Sequence, residues 1–238
     1  MIEAQNLSKI YGDVYAVNSL SFSIKTGEVV GLLGPNGAGK TTTMRMLTTF
    51  LPPSSGTAKV AGFDIYKEAD QVRKNIGYLP ETPPLYPELT VNEFLNFVAK
   101  IKGIPSKSLK SSVDEIIELC GLKNERKKLC SQLSKGYRQR VGIAHAIVHR
   151  PKVIILDEPT SGLDPAQIIE IRQLIKSLKD KHTVILSTHI LPEVTETCSK
   201  VIIIAHGKIK VEGDLAELTK EKTLEQRFLE VVATEEGI

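Results

Sequence analysis

The fold of this chain is decided by one stretch, Gly34-Pro35-Asn36-Gly37-Ala38-Gly39-Lys40-Thr41. The stretch matches the pattern G-x-x-x-x-G-K-[ST] at every position, and it lies between an apolar run, residues 29–33, and a helical pattern over residues 40–50. Its glycines permit a tight loop whose backbone N–H groups point at phosphate oxygens, and the start of the following helix adds positive potential. We therefore expect a phosphate-binding loop in which Lys40 contacts the β- and γ-phosphates and Thr41 gives its hydroxyl to Mg²⁺.

A second stretch, Val153-Ile154-Ile155-Leu156-Asp157-Glu158, has the composition of the other half of a nucleotide site. Its four apolar residues predict a buried strand. Asp157 follows them at the carboxyl end of that strand, where a magnesium ligand is expected. Glu158 is the better candidate for a general base, because it can lie one residue nearer to the attacking water. Two carboxylates at a strand end can also be a solvated turn, but their pairing with a phosphate-binding loop favours the functional interpretation.

Composition and charge exclude several classes of protein. The chain has 238 residues, 41% of them hydrophobic and 25% charged, which is enough to bury a sizeable core. The net charge of +3 is too small for a dedicated nucleic-acid binder. No apolar run approaches the roughly 18–20 residues of a membrane span, and the N-terminus lacks the pattern of a signal peptide. Three widely spaced cysteines without a CxxC predict reduced thiols in a cytosolic protein.

The order of the apolar runs predicts an α/β fold with a mostly parallel sheet, because short apolar runs alternate with helical patterns. Alternation over residues 2–8 and 19–24 predicts antiparallel β structure at the start of the chain. Residues 83–150 are almost purely helical in pattern, and they predict an inserted helical subdomain that divides the α/β part of the chain. The other expected parts are an α/β core at residues 1–82 and 151–220 and a peripheral tail at 221–238.

A third stretch, Leu133-Ser134-Lys135-Gly136-Tyr137-Arg138-Gln139-Arg140, lies between the two motifs. With it, the sequence resembles a known family, the ATP-binding cassette (ABC) ATPases: the stretch looks like the family's signature motif, and residues 157–165 are similar to its Walker B motif and D-loop. The resemblance covers residues 1–220 in the family's motif order. It implies a P-loop NTPase cassette with a RecA-like parallel core, an N-terminal antiparallel β subdomain and an inserted helical subdomain that carries the signature.

The same resemblance implies a role for individual residues. Residues 34–42, which include Thr42, would hold the nucleotide phosphates, and Thr41 and Asp157 would hold Mg²⁺. Catalysis would depend on Lys40, on Glu158 as the group that activates water, and on His189, which matches the family's switch histidine. The remaining residues expected at the nucleotide are Tyr11 on the adenine, Glu81 in the Q-loop, Ser134 and Gly136 in the signature, and Asp164 in the D-loop.

Two positions depart from the family's usual pattern. Lys135 stands at the first glycine of the signature, as in a subgroup that serves exporters with separate small permeases, including the gliding-motility, sodium-efflux and drug-resistance types. Glu81 stands where the Q-loop usually has glutamine; its carboxylate could be a further magnesium ligand, and it adds negative charge near the phosphates. Ser134 is also a good N-cap for a helix that runs to about residue 149, and a helix N-terminus favours anions.

The resemblance implies an ATP-hydrolysing subunit with ATP and Mg²⁺ as cofactors. It would act in a head-to-tail homodimer, or a heterodimer with a second ATPase subunit, and drive export through a separate integral-membrane permease. Without a span or a nucleic-acid partner, the chain is expected in the cytoplasm, peripheral on the inner face of the cell membrane. Two alternatives stay open, a cassette ATPase of iron–sulfur assembly and an ATP-binding regulator without turnover; intact Lys40, Glu158 and His189 disfavour the second.

Two further features have competing interpretations. His145 and His149 have i,i+4 spacing but no third ligand nearby, which favours an exposed helix face over a zinc site. Leu85, Tyr86 and Leu89 form an apolar cluster in a proline-rich loop. They either seal the core of the helical region or belong to a groove that receives a short helix of the permease.

Overall fold

The computed structural model describes residues 1–179 and 181–233 of the chain. Its strands are β1 (Ile2–Tyr11), β2 (Val14–Ile24), β3 (Val29–Leu33), β4 (Ser55–Val60), β5 (Phe63–Asp64), β6 (Ile76–Leu79), β7 (Val153–Asp157), β8 (Thr183–Thr188), β9 (Lys200–Ala205) and β10 (Lys208–Asp214). Its helices are α1 (Lys40–Leu47), α2 (Ala69–Asn75), α3 (Val91–Ile101), α4 (Ser106–Leu119), α5 (Lys135–Ile147), α6 (Pro165–Ser177), α7 (Leu191–Thr197), α8 (Leu215–Leu218) and α9 (Leu224–Ala233).

The strands form one antiparallel and one mainly parallel sheet. The antiparallel sheet has the order β2-β1-β4-β5 and contains the N-terminal segments whose alternation predicted it. The larger sheet has the order β10-β9-β3-β8-β7-β6, in which only β10 runs antiparallel to its neighbour. The prediction of an α/β fold with a parallel core and an antiparallel β region is therefore confirmed.

The parallel sheet brings the ends of three strands together. Strand β3 lies between β8 and β9, and Leu33 at its end pairs with Thr188 at the end of β8. Strand β7 lies on the other side of β8, with Asp157 opposite Ser187. All residues of these three strands are buried, including the polar Asp157, Ser187 and Thr188 at their carboxyl ends. Because parallel strands end at the same edge of a sheet, the loops that follow them meet there.

The described chain between β6 and β7 contains helices and turns but no strand. Helix α3 begins with a capping box, in which the Thr90 hydroxyl accepts from the Glu93 N–H at 3.2 Å and the Glu93 carboxylate accepts from the Thr90 N–H at 2.9 Å. Phe94 and Leu95 of α3 pack in the same core as Ile154 of the parallel sheet. This agrees with the helical pattern of residues 83–150, while the division into subdomains stays a prediction.

Helix α1 is shorter than its sequence pattern indicates. The pattern predicts a helix to residue 50, but α1 ends at Leu47. Thr49 adopts a left-handed backbone conformation with φ 63°, which an α-helix cannot contain. The expected end of this helix was therefore wrong by three residues, because the turn that ends it has no glycine or proline to mark it.

The interpretation of His145 and His149 as an exposed helix face is wrong. The His145 ring lies 5.9 Å from the Phe94 ring, and His149 Nε2 is 2.9 Å from the carbonyl oxygen of Ile76. Burial lowers the pKa of both histidines to about 4, with a smaller contribution from the charge of Lys102. Both are therefore neutral at pH 7, and no cluster of three or more potential metal ligands occurs within the described residues.

The C-terminal part ends in α9, which packs against the parallel sheet through Leu224 and Phe228. Residues 234–238 of the expected tail lie outside the described residues, so the tail's peripheral role stays a prediction. Among the helices that the structure describes, none is long and apolar enough to cross a membrane.

Candidate nucleotide-binding site

The loop between β3 and α1 depends on its glycines. Gly37 and Gly39 have φ angles of 79° and 101°, a region that other residues rarely adopt. A Cβ atom on Gly39 would lie 2.4 Å from the carbonyl oxygen of Ala16, and one on Gly34 would lie 2.3 Å from that of Ile204. The loop can therefore pass this close to β2 and β9 only with glycine at those positions, which explains the spacing of the motif.

Lys40 is held at the centre of this loop. The residue is 6% exposed, and its ammonium group donates to the carbonyl oxygens of Gly34 at 2.8 Å and Pro35 at 3.1 Å. The same ammonium lies 3.3 Å from the Glu158 carboxylate. A buried cation held by backbone carbonyls is pre-oriented for an anion, because little side-chain freedom is left to lose on binding.

Asp157 and Thr41 form the second part of the site. Asp157 is 1% exposed, and one of its carboxylate oxygens accepts from the Thr41 hydroxyl at 3.1 Å and from the Ser187 hydroxyl at 2.5 Å. Carboxylate and hydroxyl oxygens are the hard ligands that Mg²⁺ prefers, and both reach the edge of the phosphate loop. These residues therefore fit a magnesium ion, which they would hold.

Glu158 is fixed by its backbone as well as its side chain. Its φ of 47° is unusual for a residue with a Cβ atom, and such strain costs on the order of 1–3 kcal/mol and clusters at functional sites. The N–H of Glu158 donates to the Ser187 carbonyl at 3.2 Å and hydroxyl at 3.1 Å. Its carboxylate then lies between Lys40 and His189, whose Nδ1 is 2.9 Å away.

Lys40, Thr41, Glu158 and His189 line one cavity of about 300 Å³, which brings most of the predicted site together, and Asp157 is hydrogen-bonded to Thr41 of this lining. Glu81 reaches this cavity from the loop after β6, so the unusual carboxylate does lie beside the phosphate loop. Sequence reasoning missed two lining residues: Ser161, which only its place after Glu158 could have indicated, and Ala16, which no motif marks. The full lining is Ala16, Asn36, Gly37, Ala38, Gly39, Lys40, Thr41, Thr42, Glu81, Glu158, Ser161 and His189.

Seven predicted residues are not part of this lining. Gly34, Pro35 and Asp157 adjoin it, because they accept hydrogen bonds from Lys40 and Thr41, whereas the other four lie elsewhere. Tyr11 is at the end of β1 and 49% exposed. Ser134 and Asp164 cap α5 and α6, accepting from the N–H groups of Tyr137 and Gln167. Gly136 faces α6 so closely that a Cβ atom would lie 2.4 Å from the Gln167 side chain. The signature stretch thus packs on α6 and on Gly162 of the D-loop, and none of its described residues lines the cavity at the phosphate loop of the same chain.

A second cavity, of about 590 Å³, opens between the α/β part and the helices. Tyr86 is not among its lining residues; it is 46% exposed, and its ring contacts Phe94 at 6.0 Å and Phe97 at 5.5 Å between centroids. Leu85 and Leu89 are partly buried against the core. We name this cavity the docking groove; it is lined by Arg45, Thr48, Thr49, Phe50, Arg73, Ile76, Tyr78, Pro80, Pro84, Lys102 and His145.

The fold and the first cavity define a class, the P-loop nucleotide-binding proteins. The glycine loop, a buried lysine, a hydroxyl bonded to a strand-end carboxylate and a second carboxylate beside a histidine are the parts from which phosphoryl-transfer sites are built. Comparison with known proteins specifies the class further. The family model described as ABC transporter matches residues 17–161, more than half of the chain.

Relatives and solved structures agree with that match. The chain is 42% identical to the bacitracin transport ATP-binding protein BcrA of Bacillus licheniformis, over 92% of this chain and 72% of that protein. It is 38% identical to the linearmycin resistance ATP-binding protein LnrL of Bacillus subtilis, over 92% of this chain and 70% of that protein. A dimeric, post-hydrolysis ATP-binding cassette with ADP and Pi bound aligns at TM-score 0.82 and 27% identity, over 90% of this chain and 99% of that one.

The chain belongs to the ABC transporter family. It is an ATP-binding subunit that hydrolyses ATP to drive transport, and its partner is a membrane permease. The resemblance seen in the sequence is therefore confirmed at the level of family, fold and ATPase activity, and the two alternative functions considered from the sequence are no longer needed.

Proposed function

We propose that this subunit hydrolyses Mg-ATP at the cavity beside the phosphate loop. Lys40 would bind the β- and γ-phosphates, and Thr41 and Asp157 would hold a magnesium ion, which would supply charge neutralisation at the phosphates. Glu158 orients and deprotonates the attacking water, and His189 donates a hydrogen bond to the γ-phosphate. The observation that carries this assignment is the contact of Glu158 with both Lys40 and His189, at 3.3 and 2.9 Å.

The residues outside that cavity support a composite site in a head-to-tail dimer. The N-terminus of α5, a helix of 13 residues, offers free N–H groups beside Ser134 and Gly136, and such a terminus binds anions. Since it does not face the phosphate loop of its own chain, we assign it to the γ-phosphate held by a second subunit. Asp164 would lie at the same junction, and the exposed Tyr11 would stack on adenine.

The proposed parts of the chain follow from this arrangement. Residues 1–82 and 151–220 would hold the nucleotide, residues 83–150 would present the signature to the partner subunit, and residues 221–238 would form a peripheral tail. Glu81, in the loop that joins the first two parts, would report nucleotide occupancy to the permease and could also be a ligand of magnesium.

We assign the transport direction as export of an antimicrobial or similar small molecule. The support is the naming of two relatives for bacitracin transport and linearmycin resistance. Such a subunit would work at the cytoplasmic face of the cell membrane, where ATP is available, and would be held there by its permease.

The docking groove is our candidate for the permease contact. Its walls include the apolar side chains of Phe50, Ile76 and Tyr78 and two prolines, and Phe50 is 75% exposed. Tyr86, two residues after the lining residue Pro84, offers an aromatic anchor. Aromatic residues dominate many interfaces, and grooves of this kind receive the apolar face of a short helix. The groove also adjoins the Glu81 loop through Pro80 and Pro84, so a docked helix would sense the nucleotide cavity.

Charge identifies what the docked helix should carry. Among the charged residues that line the groove are Arg45, Arg73 and Lys102, and none of its described lining residues is acidic. Burial lowers the pKa of Lys102, and no carboxylate of the described residues pairs with it. Covering this ammonium without an opposite charge would be costly, so we expect an acidic residue of the permease opposite Lys102.

The test of the proposed activity is the Glu158→Gln variant. We expect it to keep ATP binding and to lose hydrolysis by roughly 10²-fold or more, the usual scale for a lost general base. Because ATP then persists, it should stabilise the dimer by mass action, which gel filtration with Mg-ATP would detect. Glu170→Gln, an exposed carboxylate paired with Arg140, is the control. Unchanged phosphate release in Glu158→Gln would contradict the assignment.

A further inference from the structure

Glu193 is a buried acid that the proposed mechanism leaves unused. It lies on α7, four residues after His189, and is 2% exposed. Both of its carboxylate oxygens are buried and make no hydrogen bond of good geometry within the described structure, although the Thr188 hydroxyl lies near enough to lower the pKa of the carboxyl group. Buried polar groups are nearly always hydrogen-bonded, because burial of an unpaired group removes its hydrogen bonds to water without replacing them. The carboxyl group of Glu193 therefore needs a functional or conformational reason.

The partner available to it is Arg172 on α6. The Arg172 side chain is 11% exposed, and its guanidinium binds Glu196 at 3.0 Å. Its Nε atom is buried and makes no hydrogen bond within the described structure. Glu193 and Glu196 stand three residues apart on α7 and so face the same side of the helix. The α6–α7 interface thus holds an unused donor and an unused acceptor, with Arg172 bound to the outer of two carboxylates.

This interface joins two parts of the nucleotide site. Helix α6 begins at its cap, Asp164, in the D-loop, and α7 follows His189 directly. If the Arg172 guanidinium exchanged its contact with Glu196 for one with Glu193, the position of α7 relative to α6 would change. Because α7 is short and begins two residues after His189, such a shift would move the imidazole relative to Glu158.

The charge of Glu193 also changes in the working range of pH. Its pKa is raised to about 7, mainly by burial and to a smaller extent by the Glu158 charge, while the Thr188 hydroxyl and the charges of Arg172 and His189 lower it. The remaining titratable neighbour is Cys198 at the end of α7, a thiol whose pKa burial raises far above neutrality, so it stays uncharged. Arg172 is thus the positive group that can pair with ionised Glu193 from the facing helix.

We propose that Glu193 is a positioning residue for hydrolysis: when ionised, it draws Arg172 away from Glu196, locks α7 onto α6 and holds His189 as a hydrogen-bond donor towards the γ-phosphate. Glu193 touches neither the nucleotide nor the water, so it acts only through Arg172 and His189. The inference rests on the proposed roles of Glu158 and His189. It adds a contact between α6, which follows the D-loop, and α7, which follows His189, and this contact depends on the protonation state of Glu193.

Glu193→Gln tests this directly, since glutamine keeps the shape and removes the charge. The ratio of the wild-type kcat to the variant kcat should rise from near one at pH 6 to on the order of threefold or more at pH 8. Its midpoint should lie at about 7, the pKa of Glu193. The KM for ATP should not change. A purely structural role would lower kcat by one factor at every pH, and that result would overturn the proposal.

Glu196→Gln gives the complementary test, because it leaves Arg172 free for Glu193. The pH midpoint of the increase in kcat should then be lower in Glu196→Gln than in the wild-type protein. Glu217, 64% exposed and paired with Lys220, supplies the control Glu217→Gln, which should leave the profile unchanged. An unshifted profile in Glu196→Gln would also count against the exchange of partners.

A spectroscopic measurement covers the case in which Glu193→Gln does not fold or the subunit turns over too slowly. In wild-type protein labelled with ¹³C-glutamate, a protonated carboxyl band should persist at pH 6 and disappear around pH 7, and Glu196→Gln should shift its loss to lower pH. Absence of such a band would overturn the proposal. Full activity of Glu158→Gln would instead overturn the proposed function, so the two failures are distinguishable.

Discussion

The Lys40 ammonium lies 3.3 Å from the carboxylate of Glu158, and both side chains are almost completely buried. The residue proposed to bind phosphate and the residue proposed to activate water therefore neutralise each other. If a phosphate oxygen bound the Lys40 ammonium in place of Glu158, the Glu158 carboxylate would be left to contact His189 and the incoming water. The ion pair thus links binding of ATP to readiness for hydrolysis.

Lys40→Ala should weaken ATP binding by on the order of tenfold or more, because it removes a charge-assisted hydrogen bond to the phosphates. It should also abolish hydrolysis. Isothermal titration with ATP and a phosphate-release assay would measure both. The exposed Lys25→Ala serves as the control, and wild-type ATPase in Lys40→Ala would refute the site.

Glu81→Gln separates two functions of the Q-loop position. If the carboxylate is a magnesium ligand, the variant should need a higher Mg²⁺ concentration for half-maximal ATPase activity. If Glu81 only senses the permease, the isolated subunit should be nearly unaffected while coupled transport falls. We favour the second outcome. Unchanged Mg²⁺ dependence together with unchanged transport would contradict both versions.

Tyr86→Ala should weaken permease binding by on the order of 1–3 kcal/mol, the usual range for an interface aromatic. Basal ATPase activity should stay at the wild-type level, since Tyr86 lies outside the nucleotide cavity. Co-purification of the membrane protein in mild detergent measures the binding. Tyr66→Ala, on a residue that is 73% exposed, is the matched control. Lower thermal stability with undiminished binding would show that Tyr86 packs in the core and is not part of the permease contact.

Lys102→Glu should reduce co-purification of the permease more than Lys102→Met does, because the first reverses the charge that faces the docked helix. Lys107→Glu makes the same change of net charge on an exposed part of α4 and should have no effect. Equal binding by all three variants would show that no acidic residue of the permease faces the groove. Binding that falls with the Lys107 variant as well would indicate a general charge effect.

Stability should decrease as the pH falls from about 6.5 towards 4. The pKa of His149 is lowered to about 4 in the folded chain, so only the unfolded chain takes up a proton in this range. The contribution is fully present above the unfolded pKa and is lost below it. Thermal melts of His149→Gln should show a weaker dependence on pH than wild type between pH 6.5 and 4. The same dependence in both proteins would mean that His149 is not buried as a neutral side chain.

The fold and the centre of the site could be predicted from the sequence because their signals are local. A phosphate loop needs glycines at fixed spacing and a lysine at its end, and a buried strand that ends in Asp157 and Glu158 places carboxylates at the sheet edge. These requirements act between neighbours in the chain. The motifs therefore mark Lys40, Thr41, Asp157 and Glu158 without coordinates.

Other residues could not be found this way, because what they do depends on contacts between distant segments. Ala16 lines the nucleotide cavity only because the β2 backbone passes the phosphate loop. The spacing of His145 and His149 predicts surface residues, yet His145 on α5 contacts Phe94, and His149, two residues after α5, contacts Ile76 of β6. Burial of this kind is a property of packing between elements, and a helical pattern does not encode which face is covered.

The family, the P-loop and the charged residues that follow it are readable from the amino-acid sequence, because they depend on residue types at short fixed distances. Three features depend on tertiary structure: Glu81 lines the cavity at the phosphate loop, the signature does not, and Glu193 is buried near Arg172. Parallel strands from distant parts of the chain must first be brought to one edge before such groups meet. Once they meet, burial determines which charged groups form ion pairs and which groups change their protonation state near neutral pH.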